Sequence, residues 1–180
     1  RWMLEVEKVR DVTVTFRPFS LAVLNEDKDI NEDYRARVNE GLQGARAMIG
    51  ARELHGDQAV RELYTALGTR YHPGGEPTEE ATLRSAVADA GLDENIVERA
   101  ATEEWDALLR ESHRAGIDLV GNDVGVPIIG INGKGLFGPV ISPAPKGEEA
   151  GKLFDGVAAV TALPGFFELK RSRDVRPIFD

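Results

Sequence analysis

Apolar residues recur three and four positions apart through most of this chain. Short β-rich runs occur only before residue 17 and after residue 125. Trp2, Val6 and Val9 hold helical spacing and predict a helix over the first residues. The β-branched run Val12-Thr13-Val14-Thr15-Phe16 predicts a strand. Arg17-Pro18 then releases the chain, because proline cannot donate a ladder hydrogen bond. Phe19 to Leu24 leads to a polar exit at Asn25-Glu26-Asp27.

From about Asn31 to Ala115 the pattern is helical throughout. Val38, Leu42, Ala45 and Ile49 share one face, and Val60, Leu63, Tyr64 and Leu67 another, with Asp57 placed to cap the latter. Thr78-Glu79-Glu80 opens a further helix that Gly91 closes as a left-handed terminator. Asp93 and Thr102 read as later starts and Gly116 as the last stop, which predicts a bundle of four or five helices without strands. The pattern then changes. Val126-Pro127-Ile128-Ile129-Gly130-Ile131 is a predicted strand, and Asn132-Gly133 a hairpin turn widened by Lys134-Gly135. Leu136-Phe137 with Val140-Ile141 forms the predicted return, Gly138-Pro139 marking a bulge or an edge. Glu148 to Leu163 is an amphipathic helix, with Ala150, Leu153, Phe154 and Val157 on its apolar face. The charged tail from Lys170 to Asp180 belongs on the surface.

Composition narrows the function classes. The 180 residues are 42% hydrophobic and 29% charged, ordinary for one globular domain or for one domain with a sizeable insertion. Thirty-one acidic against 22 basic residues give a net charge of −9. With no basic stripe, nucleic acid is not an expected partner. No apolar run approaches bilayer length, so no membrane span is expected. The absence of cysteine excludes a disulfide scaffold and thiolate metal sites within these residues. His55, His72 and His113 fall at no metal-ligand spacing. The chain opens inside a helical pattern without a capping residue, which leads us to expect a segment upstream.

The element order resembles a thioredoxin fold whose middle helix is replaced by a helical block, as in DsbA-like proteins, provided one strand precedes Arg1. Gly125-Val126-Pro127-Ile128-Ile129-Gly130-Ile131-Asn132-Gly133 resembles the cis-proline strand and turn of that branch. Four further stretches resemble the mycothiol-dependent nitroreductases of actinobacteria, DsbA-like proteins of the cytosol. They are Arg1-Trp2-Met3-Leu4-Glu5-Val6, Ser20-Leu21-Ala22-Val23-Leu24-Asn25-Glu26, Gly147-Glu148-Glu149-Ala150-Gly151-Lys152-Leu153 and Phe166-Phe167-Glu168-Leu169-Lys170-Arg171. The resemblance implies an α/β, thioredoxin-like fold with a large all-helical insertion. Residues 1–30 and 116–180 would form the thioredoxin-like domain and 31–115 the insert. It further implies a cytoplasmic thiol-disulfide oxidoreductase with no bound cofactor or metal. A low-molecular-weight thiol such as mycothiol would be its co-substrate, and a small electrophile or disulfide its substrate. A homodimer is left open.

In that family a Cys-Pro-Trp-Cys motif precedes the position of Arg1, so a Cys-x-x-Cys pair is expected upstream. A thiolate at a helix N-terminus has a lowered pKa and attacks a disulfide or electrophile. Val126-Pro127, expected cis, would present the Val126 backbone to an extended substrate. Asn25 and Tyr34 are the other candidate substrate-binding residues, Asn25 having turn formation as its plain alternative. His113 is a better general-base candidate than His72, against a packing role for each. Glu103-Glu104 and Glu148-Glu149 read as solvated helix starts, and Trp105 as a core anchor. Two other function classes stay open. One is a thiol-dependent isomerase of the hydroxychromene-carboxylate type, although Phe137-Gly138 continues here with Pro139-Val140 rather than toward that branch's Asp-Arg. The other is a non-catalytic thioredoxin-fold binding module.

Overall fold

A computed structural model describes residues 1–179. Among them are nine helices and one antiparallel pair of strands: α1 (Trp2–Val6), α2 (Leu21–Leu24), α3 (Glu32–Glu40), α4 (Leu42–His55), α5 (Asp57–Tyr71), α6 (Glu80–Asp89), α7 (Asn95–Ala100), α8 (Asp106–Val120), β1 (Ile128–Ile131), β2 (Lys134–Phe137) and α9 (Gly147–Thr161). The chain divides into two compact units, Arg1–Val14 with Asp118–Asp180, and Thr15–Ile117.

In the second unit the helical periodicity becomes a closed core. Ile49 from α4, Leu63 and Leu67 from α5, Leu83 and Val87 from α6, and Ile96 and Val97 from α7 are buried together with Trp105 and Leu109. Trp105 is 3% exposed and packs against Gly50, where any Cβ would collide with its ring. The Arg99 guanidinium covers the indole at 4.8 Å. Trp105 is therefore the anchor its sequence context suggested. No strand occurs within α3–α8, but six helices stand where the pattern predicted four or five. The face shared by Val38 and Ile49 is split at Gly41 into α3 and α4. Gly116 does not stop α8, which runs on to Val120 before Gly121 turns left-handed at φ 85°.

The first unit has a smaller core. Trp2, Val6 and Ala150 are buried, with Val12, Ile129, Leu153, Phe154 and Val157 packed around them. Trp2 Nε1 donates to the Ala150 carbonyl at 3.1 Å, tying α1 to α9. Arg10 lies against Gly151 and donates to both Glu148 and Asp155. It holds both carboxyls below their ordinary pKa values.

Two strand predictions need correction here. Residues 12–16 are extended, with alternating half-buried and exposed side chains, yet form no strand. A ladder needs a neighbour, and none lies beside them among the described residues; the Val14 N–H donates instead to Glu7 Oε1 at 3.0 Å. The hairpin turn is not widened. Ile131 pairs with Lys134 and Ile128 with Phe137 across a two-residue Asn132-Gly133 turn, both residues having positive φ. The return strand stops at Phe137, and residues 140–141 lie outside it. Gly130 and Gly135 sit opposite one another with Leu119 above both: a Cβ on Gly135 would come within 2.7 Å of the Leu119 Cβ. That seat extends α8 beyond Gly116.

Candidate functional site

Val126 and Pro127 head β1. The Pro127 carbonyl accepts from the Gly138 N–H at 2.8 Å, but proline has no N–H to return, so the ladder ends at this pair. The Val126–Pro127 peptide is cis, as are Gly138–Pro139 and Ser142–Pro143. Val126 lies beyond the ladder and is 44% exposed. Bonded and non-bonded pairs alternate along an antiparallel ladder, so the bond at Pro127 makes Ile129 and Ile131 the bonded residues of β1. Ile128 and Gly130 therefore turn their N–H and C=O groups to the outer edge. No strand pairs with that edge among the described residues. Residues 126–130 thus offer a row of backbone donors and acceptors that an extended peptide or amide-bearing ligand can match.

Asn25 and Tyr34 belong to the other unit. Ser20 caps α2 by accepting from the Val23 N–H, and Asn25 ends the helix. Asn25 is 7% exposed; its Nδ2 donates to the Leu21 carbonyl at 2.8 Å, and its own carbonyl accepts from Arg35 at 3.2 Å. The side-chain nitrogen is therefore committed to the turn. Tyr34 sits in the first turn of α3, which Asn31 caps at 2.8 Å. Its ring is half-buried beneath the Arg37 guanidinium, 5.9 Å away. Arg35, next to Tyr34, links this turn to Asn25.

One cluster in the same unit was visible in the sequence only through His113. Three neighbours on α8 grip residues 18–26. Ser112 Oγ donates to the Pro18 carbonyl at 2.7 Å, the His113 ring lies 4.1 Å from that of Phe19, and Arg110 makes two 2.7 Å bonds to Glu26. The Arg110 guanidinium holds the Glu26 carboxyl below its ordinary value. His113 is 8% exposed, and its Nδ1 has no hydrogen-bond partner. Burial pushes its pKa below 6.5; Glu26 pulls it upward, while Arg110 and Lys28 push it down. An acid–base role would need this ring uncovered, so its present arrangement is that of a neutral packing group. Beside the Glu26–Arg110 pair runs a shallow groove of about 140 Å³, floored by Ala22, Val23, Leu42 and Leu109. The contacts that build the cluster span up to 94 residues, and no local pattern signals them. Among the described residues no three His, Asp or Glu side chains converge as metal ligands, and no helix is long and apolar enough to cross a membrane.

Comparison with known proteins places this geometry in context. Residues 1–171 match the Rv2466c-like family, described as mycothiol-dependent nitroreductase Rv2466c. A relative from Mycobacterium tuberculosis, the uncharacterized protein Rv2286c, is 28% identical over 176 residues. The match covers 96% of this chain and 74% of that protein.

Proposed function

This chain belongs to the Rv2466c-like family of mycothiol-dependent nitroreductases, and on that premise we propose that it works as a DsbA-like thiol-disulfide oxidoreductase of the cytoplasm. Its co-substrate is mycothiol or a similar low-molecular-weight thiol, and its substrate a small electrophile or disulfide. The observation that carries this reading is the exposed residue Val126, continuous with the outer edge of β1, which has no paired strand among the described residues. That edge is suited to hold an extended thiol ligand through its amides. Val126 and Pro127 position the ligand by backbone contacts, and Asn25 and Tyr34 are assigned to substrate binding.

Thiol exchange needs a thiolate, and the 180 residues contain no cysteine. We place a Cys-x-x-Cys pair, on the helix that α1 continues, in sequence upstream of Arg1. Two observations support a further strand with it. The run at residues 12–14 and the outer edge of β1 both lack ladder partners, and Val12 and Ile129 pack around one core. In the reaction a cysteine thiolate attacks the substrate disulfide, forming one S–S bond as another breaks, and the departing sulfur takes up a proton. The second cysteine resolves the mixed disulfide. Two molecules of the small thiol then restore the reduced pair and leave as their own disulfide.

The test uses the protein with its upstream residues. Free thiols are titrated in its reduced and oxidised forms, and reduction of a small disulfide is followed with mycothiol as donor. Loss of two thiols on oxidation and turnover with mycothiol are expected. An upstream segment without cysteine, or a pair that never cycles, would leave the β1 edge as the surface of a non-catalytic binding module.

A further inference from the structure

One guanidinium in the helical unit is devoted to main chain. Arg35 Nη1 donates to the Asn25 carbonyl at 3.2 Å and to the Glu26 carbonyl at 3.4 Å, and its Nη2 donates to the Lys28 carbonyl at 2.8 Å. Arg46, Arg70, Arg84, Arg99 and Arg110 of the same unit each hold a carboxylate. Arg35 holds three carbonyls instead, and it is half-buried. It stands near the N-terminus of α3, where its own N–H donates to the Asn31 carbonyl at 3.0 Å. The helix dipole there favours Glu32 and Asp33 and opposes a cation. What this arginine contributes therefore lies on the loop it grips.

That loop needs a grip. Residues 25–28 form a turn after the four-residue α2, outside any helix or ladder that could take up their carbonyls. Within the turn the Lys28 N–H reaches the Asn25 carbonyl at 3.3 Å. A guanidinium presents five N–H groups in a fixed planar fork and can bond several carbonyls at set directions, which a single ammonium cannot reproduce. On α8, Arg110 holds the loop by the Glu26 side chain, whereas Arg35 holds its backbone. We propose that Arg35 is a positioning residue for substrate binding: it fixes the main chain of residues 25–28 and thereby sets Asn25 in place relative to Tyr34, its own neighbour on α3. The inference rests on the assignment of Asn25 and Tyr34 to substrate binding. Arg35 acts through Asn25 and makes no contact with substrate.

The experiment uses the protein with its upstream residues and follows reduction of a small disulfide with mycothiol as donor. Wild type is compared with Arg35→Met, Arg35→Lys, Asn25→Ala and the double variant Arg35→Met with Asn25→Ala. Circular dichroism and amide exchange at Lys28 are measured on each. Arg35→Met should raise the KM for the disulfide about tenfold, the scale of one lost charge-assisted hydrogen bond, and change kcat less than about twofold. Arg35→Lys should restore little of this, because charge without the fork does not rebuild the loop. The double variant should have the KM of Asn25→Ala alone, since the two changes remove one function. The Lys28 amide should lose protection in Arg35→Met while the helical signal is kept. Three results would overturn the proposal: an unchanged KM in Arg35→Met, increases in KM that multiply in the double variant, or a Lys28 amide as protected in Arg35→Met as in wild type. If Arg35→Met does not fold, Arg35→Lys carries the same three measurements. A wild type that reduces no disulfide removes the thiol reading and this inference with it. Turnover in the wild type together with any of the three results removes this inference alone.

Discussion

The two units of this protein solve the same burial problem to different degrees. The helical unit closes on itself: fourteen buried apolar residues form its core, and its largest exposed ones are Leu54 and Tyr64 alone. The other unit buries three, Trp2, Val6 and Ala150, while displaying Val126, Phe137, Val140, Leu163, Phe167 and Leu169. The reason lies in the elements. A helix satisfies its backbone internally and needs only an apolar stripe to pack, so one continuous stretch of sequence can complete such a core. A sheet of two strands has two open edges and needs further chain to close them. The β1 edge, whose backbone groups have no ladder partner among the described residues, belongs to this unit with the smaller core.

The sharpest way to break this comparison is Trp105→Ala. Emptying the space over Gly50 should cost about 3–5 kcal/mol, the range for large aromatic truncations in cores. It also leaves Trp2 as the sole tryptophan, in the other unit. In a urea titration the helical signal by circular dichroism should shift to lower denaturant, while the Trp2 fluorescence transition keeps its midpoint. Equal shifts of both signals would show that the units unfold together, and the contrast between a closed and an open core would lose its energetic meaning.

A smaller effect with a built-in control probes the open unit. Gly135→Ala would drive a methyl into Leu119 and Val120, 2.7 and 3.3 Å away, and should cost about 1–3 kcal/mol in the Trp2 transition. Gly156→Ala, in α9 with nothing within 4 Å, should act with the opposite sign, stabilising by about 0.5–1 kcal/mol through helix propensity. If both substitutions stabilise, Leu119 is not seated on the hairpin as described.

What the sequence disclosed follows the same division. The period-3.6 pattern located α5, start and stop signals located α6, and Gly91 closed its helix as expected, at φ 66°, because these are local effects. Asn132-Gly133 marked the hairpin turn for the same reason, although the register is tighter than the expected turn widened by Lys134-Gly135. The errors at Gly116 and at residues 12–16 were tertiary. Gly116 costs a helix too little to end it when Leu119 has a glycine pair to grip. Residues 12–16 have strand propensity but no strand to pair with. At the candidate site, the cis bond at Val126–Pro127 was expected from the resemblance to a cis-proline strand rather than from any local pattern, and Pro127 stands just ahead of β1. Asn25 was legible as a turn former, and its bonds to Leu21 and Arg35 show that role. The packing of His113 on Phe19 joins residues far apart in sequence and leaves no local trace.

The same ring supplies the smallest and most specific contrast between the units. His113 lies in the helical unit, so its titration should be felt there more than by Trp2. His113 is held neutral by burial, its Nδ1 unbonded, with Glu26 opposing and Arg110 and Lys28 assisting the shift. A folded pKa below the ordinary 6.5 means that the unfolded chain binds the proton more readily. The stabilising contribution is therefore complete above 6.5 and is lost as pH falls from there through the lower folded value. In a Trp2→Phe variant, where Trp105 alone reports, urea midpoints should fall between about pH 7.5 and about pH 5.5. In Trp105→Phe, where Trp2 alone reports, they should fall less. Adding His113→Phe places an apolar ring against Phe19 and removes the titrating nitrogen, so the Trp105 midpoint should become less sensitive to pH over that interval. An unchanged slope would assign the proton uptake to another group and remove His113 as the pH-sensitive point of an otherwise closed core.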